Sequence, residues 1–420
     1  MKDAGRKASL FPGGTVSEDP RLSASNRALK GIRVIDMSRV LAGPFCGAIL
    51  GDLGAEVIKV EDAGEGDELR AWPPHKEGES PAFVVNNRNK RGIAVDLKAP
   101  EGTEIVRRLA GNADVLIENF RTGTMEKFGL GYESLAAGNP KLVYCSISAF
   151  GRTGPRADEA GYESLMQAFS GAMSITGEPD SQPVRCGPSF LDLATGTFCA
   201  LGIISALFHR AQSGLGQRVD GSLLETAISM LNYQAEGYLL TGNVPKPLGS
   251  AHPSLCPYRN YRCRDGRWIF LAGANDRLWK RVAAVLGLSA MAEDPRYATN
   301  PDRVKHRAEV DAAVEKAVAL FDREPLLQQL EKAGAPAAPV NTMDQVLNDK
   351  QILALPIIQR MVHPRLGDIP VVGFPLQFSR LQPVINRSAP LHGEHTDEIL
   401  SSIGYSVDEI TRLQGKQVIR

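Results

Sequence analysis

The chain has 420 residues, 43% hydrophobic and 23% charged, enough apolar content to bury a large core over two or three domains. Its 48 Lys and Arg balance 48 Asp and Glu, which argues against a nucleic-acid-binding surface but leaves room for a local basic patch on a phosphorylated ligand. Six cysteines (Cys46, Cys145, Cys186, Cys199, Cys256 and Cys263) form no Cys-x-x-Cys pair, so they read as reduced, mostly buried thiols of a cytoplasmic protein.

Residues 1–28 are polar and rich in Gly, Pro and Ser, without the apolar core of a secretory signal, and are expected to be a flexible tail. Regular structure is predicted to begin at LKGIRVIDMSRV, where Ile32, Val34 and Ile35 give a short strand. Gly43, Gly47 and Gly51 follow at four-residue spacing, which places them on one face of a helix. AEVIKVE is a second strand, completing a β-α-β unit. The pattern continues with a strand over 91–97 and a helix between Pro100 and Gly111. A strand over 114–120, a helical run from Thr124 to the Gly138-Asn139-Pro140 stop and a strand over 141–150 come next. Such alternation predicts an α/β fold: a Rossmann-like, doubly wound large domain.

A helix is expected through YESLMQAFSGAMSITG, and a stronger apolar one from Asp192, its N-cap, to Gly214. The apolar stretch Leu193–Phe208 is too short and too punctuated for a membrane span and reads as a buried helix. The Pro- and Gly-rich run from Thr241 to Ala251 marks a boundary, so the first part of the large domain covers 29–240. A hairpin turning at Asp265-Gly266 and three or four helices between Arg277 and Ala333 make a smaller α+β domain over 241–340. A second linker, GAPAAPVNT, leads into a C-terminal part, 341–420, that returns to the large domain and ends in a helix from Thr396.

Asp192 is the first candidate for chemistry. It is either an ordinary helix cap or a carboxylate kept ionised by the helix N-terminus and competent as a nucleophile toward an activated acyl group. Glu163 is a second carboxylate or a solvent-facing first-turn residue, and Tyr162 beside it a stacking or hydrogen-bonding group or a half-buried filler. The basic cluster NNRNKRG, with Arg88, Lys90 and Arg91, is a phosphate clamp or a solvated loop. Asn119, Phe120, Lys127 and Phe128 could sandwich a purine. The chain has no G-x-G-x-x-G after its first strand, no G-x-x-x-x-G-K-[ST], no H-E-x-x-H and no G-x-S-x-G. His392 and His395 are the one close histidine pair and lack further ligands in the sequence, so no metal is expected.

These residues stand in a series that resembles the class III CoA-transferase family from about Leu29 to Gln417: SRVLAGPFCGAILGDLGAEVIKVE, NRNKRGIAVDLK, ADVLIENFRTGTMEKFGLGYE, AGYESLMQAFSG, DLATG and APLHGEHTDEIL. RVLAGPF, NRNK, GSAHPSLCPY and the DLATG helix are most similar to its succinyl-CoA:glutarate (dicarboxylate) branch. The resemblance implies an interlocked homodimer of ring-like subunits. It implies transfer of CoA from an acyl-CoA, succinyl-CoA in that branch, to a free dicarboxylic acid such as glutarate. The acyl-CoA and the acid are substrates, and no cofactor is permanently bound. It assigns the catalytic aspartate to Asp192, with Glu163 and Tyr162 beside it. CoA binding falls on Arg39, Val40, Leu41 and Ala42, on Arg88 and Lys90, and on Asn119, Phe120, Lys127 and Phe128. Leu41, Asp62 and Ala160 depart from the formyl-CoA:oxalate type, which carries a glutamine, a basic residue and a lysine there, and argue against an oxalate acceptor. The rival is an α-methylacyl-CoA racemase-like isomerase, whose proton-moving histidine has no counterpart between His75 and His209.

Overall fold

Among residues 27–420, which the computed structural model describes, two compact units can be separated. All but the last two residues of the expected N-terminal tail lie outside that range. The larger unit joins the chain through Ser170 to Gly187–Ala235 and Lys350–Arg420, and the smaller joins Gly171–Cys186 to Glu236–Asp349. Sequence placed Gly171–Cys186 with the large domain. Here it groups with the smaller unit, where Gly177 accepts the Gly249 N–H at 2.7 Å.

In the larger unit the strands are β1 (Arg33–Asp36), β2 (Glu56–Glu61), β3 (Lys90–Ala94), β4 (Val115–Glu118), β5 (Val143–Ser148) and β6 (Arg218–Ser222). They form one parallel sheet in the order β3-β2-β1-β4-β5-β6. Strand order reverses between β1 and β4, which opens a crevice at their carboxyl ends, the usual ligand position in such sheets. The helices are α1 (Ala42–Asp52), α2 (Pro81–Asn86), α3 (Pro100–Gly111), α4 (Thr124–Lys127), α5 (Tyr132–Gly138), α6 (Glu163–Phe169), α7 (Phe190–Ser213) and, through Ala235, α8 (Leu223–Thr241), whose last residues belong to the smaller unit. The helical run expected from Thr124 is split into α4 and α5 because Gly129 adopts a left-handed φ of 65° between them.

One side of the sheet carries α1 and α7 over Val34, Val115 and Cys145, and the other carries α3 and α5 over Ile35, Leu116 and Tyr144. α7 is 24 residues long and begins two residues before the expected start at Asp192, and among the described residues it is the one helix long and apolar enough to cross a membrane by length and composition. Leu191, Cys199, Ala200, Ile203 and Ala206 put one face of it in the core. Sequence suggests a buried helix, but on its other face Phe198, Leu201 and Phe208 are 46%, 60% and 71% exposed. Gly196 lets α7 meet α1: a Cβ there would lie 2.5 Å from the Ala42 carbonyl oxygen.

The smaller unit pairs β7 (Tyr258–Arg262) with β8 (Trp268–Ala272) through the Asp265-Gly266 turn. The stretch read as a linker contains β9 (Ala337–Pro339), the third strand, whose proline is tolerated at a sheet edge. Five α-helices occupy the region expected to hold three or four: α9 (Asp276–Val285), α10 (Ser289–Glu293), α11 (Asn300–Lys305), α12 (Arg307–Val318) and α13 (Arg323–Lys332); α14 (Met343–Leu347) follows. The C-terminal part holds α15 (Lys350–Ala354), the hairpin of β10 (Ile358–His363) with β11 (Gly367–Val372), α16 (Thr396–Ser402) and α17 (Val407–Gly415). It docks on the outer edge of β3, where the Asp96 N–H donates to Val418 and the His395 N–H to Gly92. That pairing covers an otherwise open sheet edge.

Candidate active site

Two cavities open at the carboxyl ends of β1 and β4, of about 460 and 600 Å³. The first is lined by Arg39, Val40, Leu41 and Ala42 from the turn after β1, by Asn119 and Phe120 after β4, and by Tyr162, Glu163 and Asp192. Sequence elements more than 150 residues apart in the expected list thus meet in one place. The second cavity shares Arg39 and Phe120 with the first and adds Phe128, Lys59, Asp62 and Lys98. Lys127, exposed at the end of α4, lines neither cavity.

Asp192 is not the cap of α7. Ser189 holds that position and Asp192 sits in the first turn, 9% exposed. The expected consequence, a carboxylate kept ionised by the helix end, is overridden. Burial, assisted by the charge of Glu163, pushes its pKa up to about 7. Glu163, the first residue of α6, is buried, and its Oε1 accepts a hydrogen bond from Gln167 Nε2 at 2.5 Å. Tyr162 precedes it with a side chain 60% exposed.

Arg39 is presented by its own backbone. The Arg39 N–H donates to Asn119 Oδ1 and Asn119 Nδ2 donates to the Arg39 carbonyl, both at 2.8 Å. The guanidinium lies 4.6 Å from the centre of the Phe120 ring, a cation–π distance. Phe120 is fixed in turn by a buried ion pair that the sequence reading missed. Its N–H donates to Glu118 Oε2 at 2.8 Å, and Arg152, 3.0 Å from Glu118 Oε1, donates to the Phe120 carbonyl at 2.9 Å. The one sequence signal for Arg152 was an arginine two residues past the predicted strand end, in GRTGP.

Arg88 and Lys90 correct the sequence reading. Arg88 is 2% exposed and paired with Asp52 at 2.5 Å; Lys90 is fully buried and paired with Asp36 at 2.8 Å. Burial lowers the Lys90 pKa to about 8, with Asp36 opposing it. Their charges are engaged inside the fold, and neither lines these two cavities. Among the described residues no group of three or more His, Cys, Asp or Glu could hold a metal ion.

Residues 29–396 match the family model described as CoA-transferase family III. The chain is 43% identical over 382 residues to a succinate–glutarate CoA-transferase of Agrobacterium fabrum, covering 89% of this chain and 95% of that protein. It is 38% identical over 396 residues to a succinyl-CoA–D-citramalate CoA-transferase of Chloroflexus aurantiacus, covering 94% and 98%. A crystal structure of a CaiB/BaiF family protein from Brucella suis superposes with a TM-score of 0.81 at 40% identity, covering 90% of this chain and all of that one.

Proposed function

Since the chain belongs to CoA-transferase family III, we propose that it moves CoA from a dicarboxylic acyl-CoA such as succinyl-CoA to a second dicarboxylate such as glutarate, with Asp192 carrying the acyl group. The observation that carries this reading is the state of Asp192. It is a buried carboxyl whose pKa lies near neutrality, in a cavity at the switch point of the sheet, with the perturbations on it traced to burial and Glu163. A carboxylate without a cation to quiet it is a better nucleophile.

The Asp192 carboxylate adds to the donor thioester carbonyl, and the tetrahedral oxyanion collapses with loss of CoA thiolate, leaving a mixed anhydride. The thiolate then attacks the Asp192 carbonyl, releasing the donor acid as its carboxylate and leaving an aspartyl-CoA thioester. The acceptor carboxylate repeats the two steps in reverse and restores Asp192. No proton is gained or lost in the cycle. The thioester's activation is kept in covalent form throughout, and water must be kept from the anhydride. CoA lies across the two cavities, its thioester end in the first and its adenine near Phe120 and Phe128 in the second. Arg39 and Arg121 line the first cavity without an ion-pair partner among the described residues, which suits a substrate's distal carboxylate.

Two copies form an interlocked dimer in this reading. The exposed Phe198, Leu201 and Phe208 of α7, with Leu239 and Leu240 of α8 at 73% and 76%, favour burial against a partner. Leu201→Glu is expected to shift the sedimenting species toward monomer.

The deciding experiment is Asp192→Ala, assayed for transfer from succinyl-CoA to glutarate. Transfer is expected to fall at least a thousandfold, and the wild-type enzyme is expected to yield an aspartyl adduct trapped by hydroxylamine. Unchanged transfer by the variant would falsify the assignment. The isomerase rival predicts exchange of the substrate's α-hydrogen in deuterium oxide without acceptor acid; no histidine lines the cavity to support it.

A further inference from the structure

We propose that the buried Lys59–Asp67 ion pair is a positioning device for CoA binding, clamping the turn Ser38–Val40 in a strained conformation and so fixing Arg39 between the two cavities. The inference rests on the reading of those cavities as the CoA site.

Val40 has φ 65°, the left-handed region. A β-branched residue is a genuine outlier there, because its Cβ substituents crowd the backbone. Such a conformation persists only where the surroundings over-determine it. Here they do. Four successive backbone groups are held by side chains from outside the turn: the Ser38 carbonyl by Lys59 Nζ, the Arg39 N–H and carbonyl by Asn119, and the Val40 N–H by Asp67 Oδ1 at 3.2 Å. Lys59 and Asp67 are joined at 2.7 Å, both with fully buried side chains. Asp67 Oδ1 also accepts from the Leu69 N–H at 3.0 Å, capping the 3-10 turn Glu68–Ala71, and Glu68 lines both cavities.

Both line the second cavity but not the first, so neither reaches the reacting atoms as Asp192 does. The effect proposed for them passes through the turn, which is why rescue at Val40 is the deciding readout. Without the clamp Val40 relaxes to an ordinary φ, Arg39 leaves its place over Phe120, and only a fraction of molecules is ready to bind. Apparent affinity then falls by that fraction, while bound ligand restores the turn.

The test uses Asp67→Asn in the full-length protein, with free CoA titrated calorimetrically and transfer kinetics measured alongside. The expected result is a roughly tenfold weaker CoA affinity and an equal rise in KM for the acyl-CoA, with kcat within about twofold of wild type. Val40→Gly placed on Asp67→Asn is expected to restore affinity to within about threefold of wild type, since glycine adopts the turn's φ without a clamp. A merely structural pair gives no such rescue. Should Asp67→Asn fail to fold, Asn119→Ala tests the clamp from its half-buried side, with the same loss and the same rescue by Val40→Gly expected. Affinity within twofold of wild type in the folded clamp variant, or a loss that Val40→Gly leaves in place, overturns the proposal. The Asp192 chemistry is judged separately: Asp192→Ala abolishes transfer and leaves CoA affinity unchanged, whereas wild-type protein that binds no CoA overturns the site reading itself.

Discussion

Asp192 and Glu163 line one cavity with both side chains buried, and the charge of Glu163 adds to burial in lifting the Asp192 carboxyl to about 7. In the proposed mechanism the nucleophile is the ionised form, so kcat/KM for the acyl-CoA is expected to climb tenfold per pH unit below about 7 and to level off above it. Glu163→Gln removes one of the two causes and is expected to move this limb to lower pH. A limb that stays in place in the variant would show that the two carboxyls are not coupled.

The same perturbation sets a stability prediction. An unfolded Asp ionises near pH 3.9, whereas folded Asp192 holds its proton up to about 7. The neutral carboxyl therefore costs the fold nothing below about pH 4. The penalty builds between about 4 and 7 and is complete above. Asp192→Asn is expected to match wild type at pH 4 and to melt a few degrees higher at pH 8. Equal melting temperatures at pH 8 would mean that the carboxylate is better solvated than its burial implies.

Arg88→Ala separates structure from binding. Removing one partner of a buried pair leaves Asp52 buried without its cation, held by the Asn89 amide alone, at a cost of roughly 3–5 kcal/mol. Burial already raises the Asp52 pKa although Arg88 opposes it. Denaturant unfolding should show the loss, while KM for the acyl-CoA in the folded fraction stays within about twofold. A KM that rises tenfold with stability intact would return Arg88 to the CoA site.

NNRNKRG shows how far a sequence reading extends. The cluster is plainly basic, but the acids that neutralise it, Asp52 and Asp36, come 36 and 54 residues earlier in the chain. Only the tertiary fold brings them under it. Asp192 is the same kind of case. Its place at the head of an apolar helix is legible, because apolar periodicity and the terminal Gly214 bound α7. Its pKa is not, because burial and the approach of Glu163 belong to packing. The parallel sheet was readable from strand–helix alternation, since each β-α-β unit is local. The strain at Val40 was hidden, as nothing in SRVLAG announces a left-handed valine. The glycines lie between these cases. The four-residue spacing of Gly43, Gly47 and Gly51 marks one close-packed face of α1, which meets Ser38, Asp36 and Asn89, but no spacing announced that α7 would meet α1 at Gly196.

Gly196 makes that contact measurable. It lies one turn after Asp192 on α7, and a Cβ there would meet the Ala42 carbonyl oxygen at 2.5 Å, Phe45 Cδ1 at 3.2 Å and Cys46 N at 3.3 Å. The nearest atom is backbone and cannot rotate away, so Gly196→Ala must push α7 from α1, at roughly 1–3 kcal/mol for an overpacked core. Ala42 ends the turn that carries Arg39, so the same push separates Asp192 from the proposed CoA loop. A shift of even 1 Å at a positioned nucleophile can cost about a hundredfold in rate. Gly196→Ala is therefore expected to lower kcat by at least tenfold in protein that remains folded. Gly111→Ala is the control. It ends α3 with nothing within 4 Å of the added methyl, and alanine is the better helix former there, by up to about 1 kcal/mol. It should stabilise slightly and leave kinetics unchanged. If Gly196→Ala instead behaves like Gly111→Ala, the helices have room that the geometry denies, and the coupling of α7 to the CoA loop through this contact fails with it.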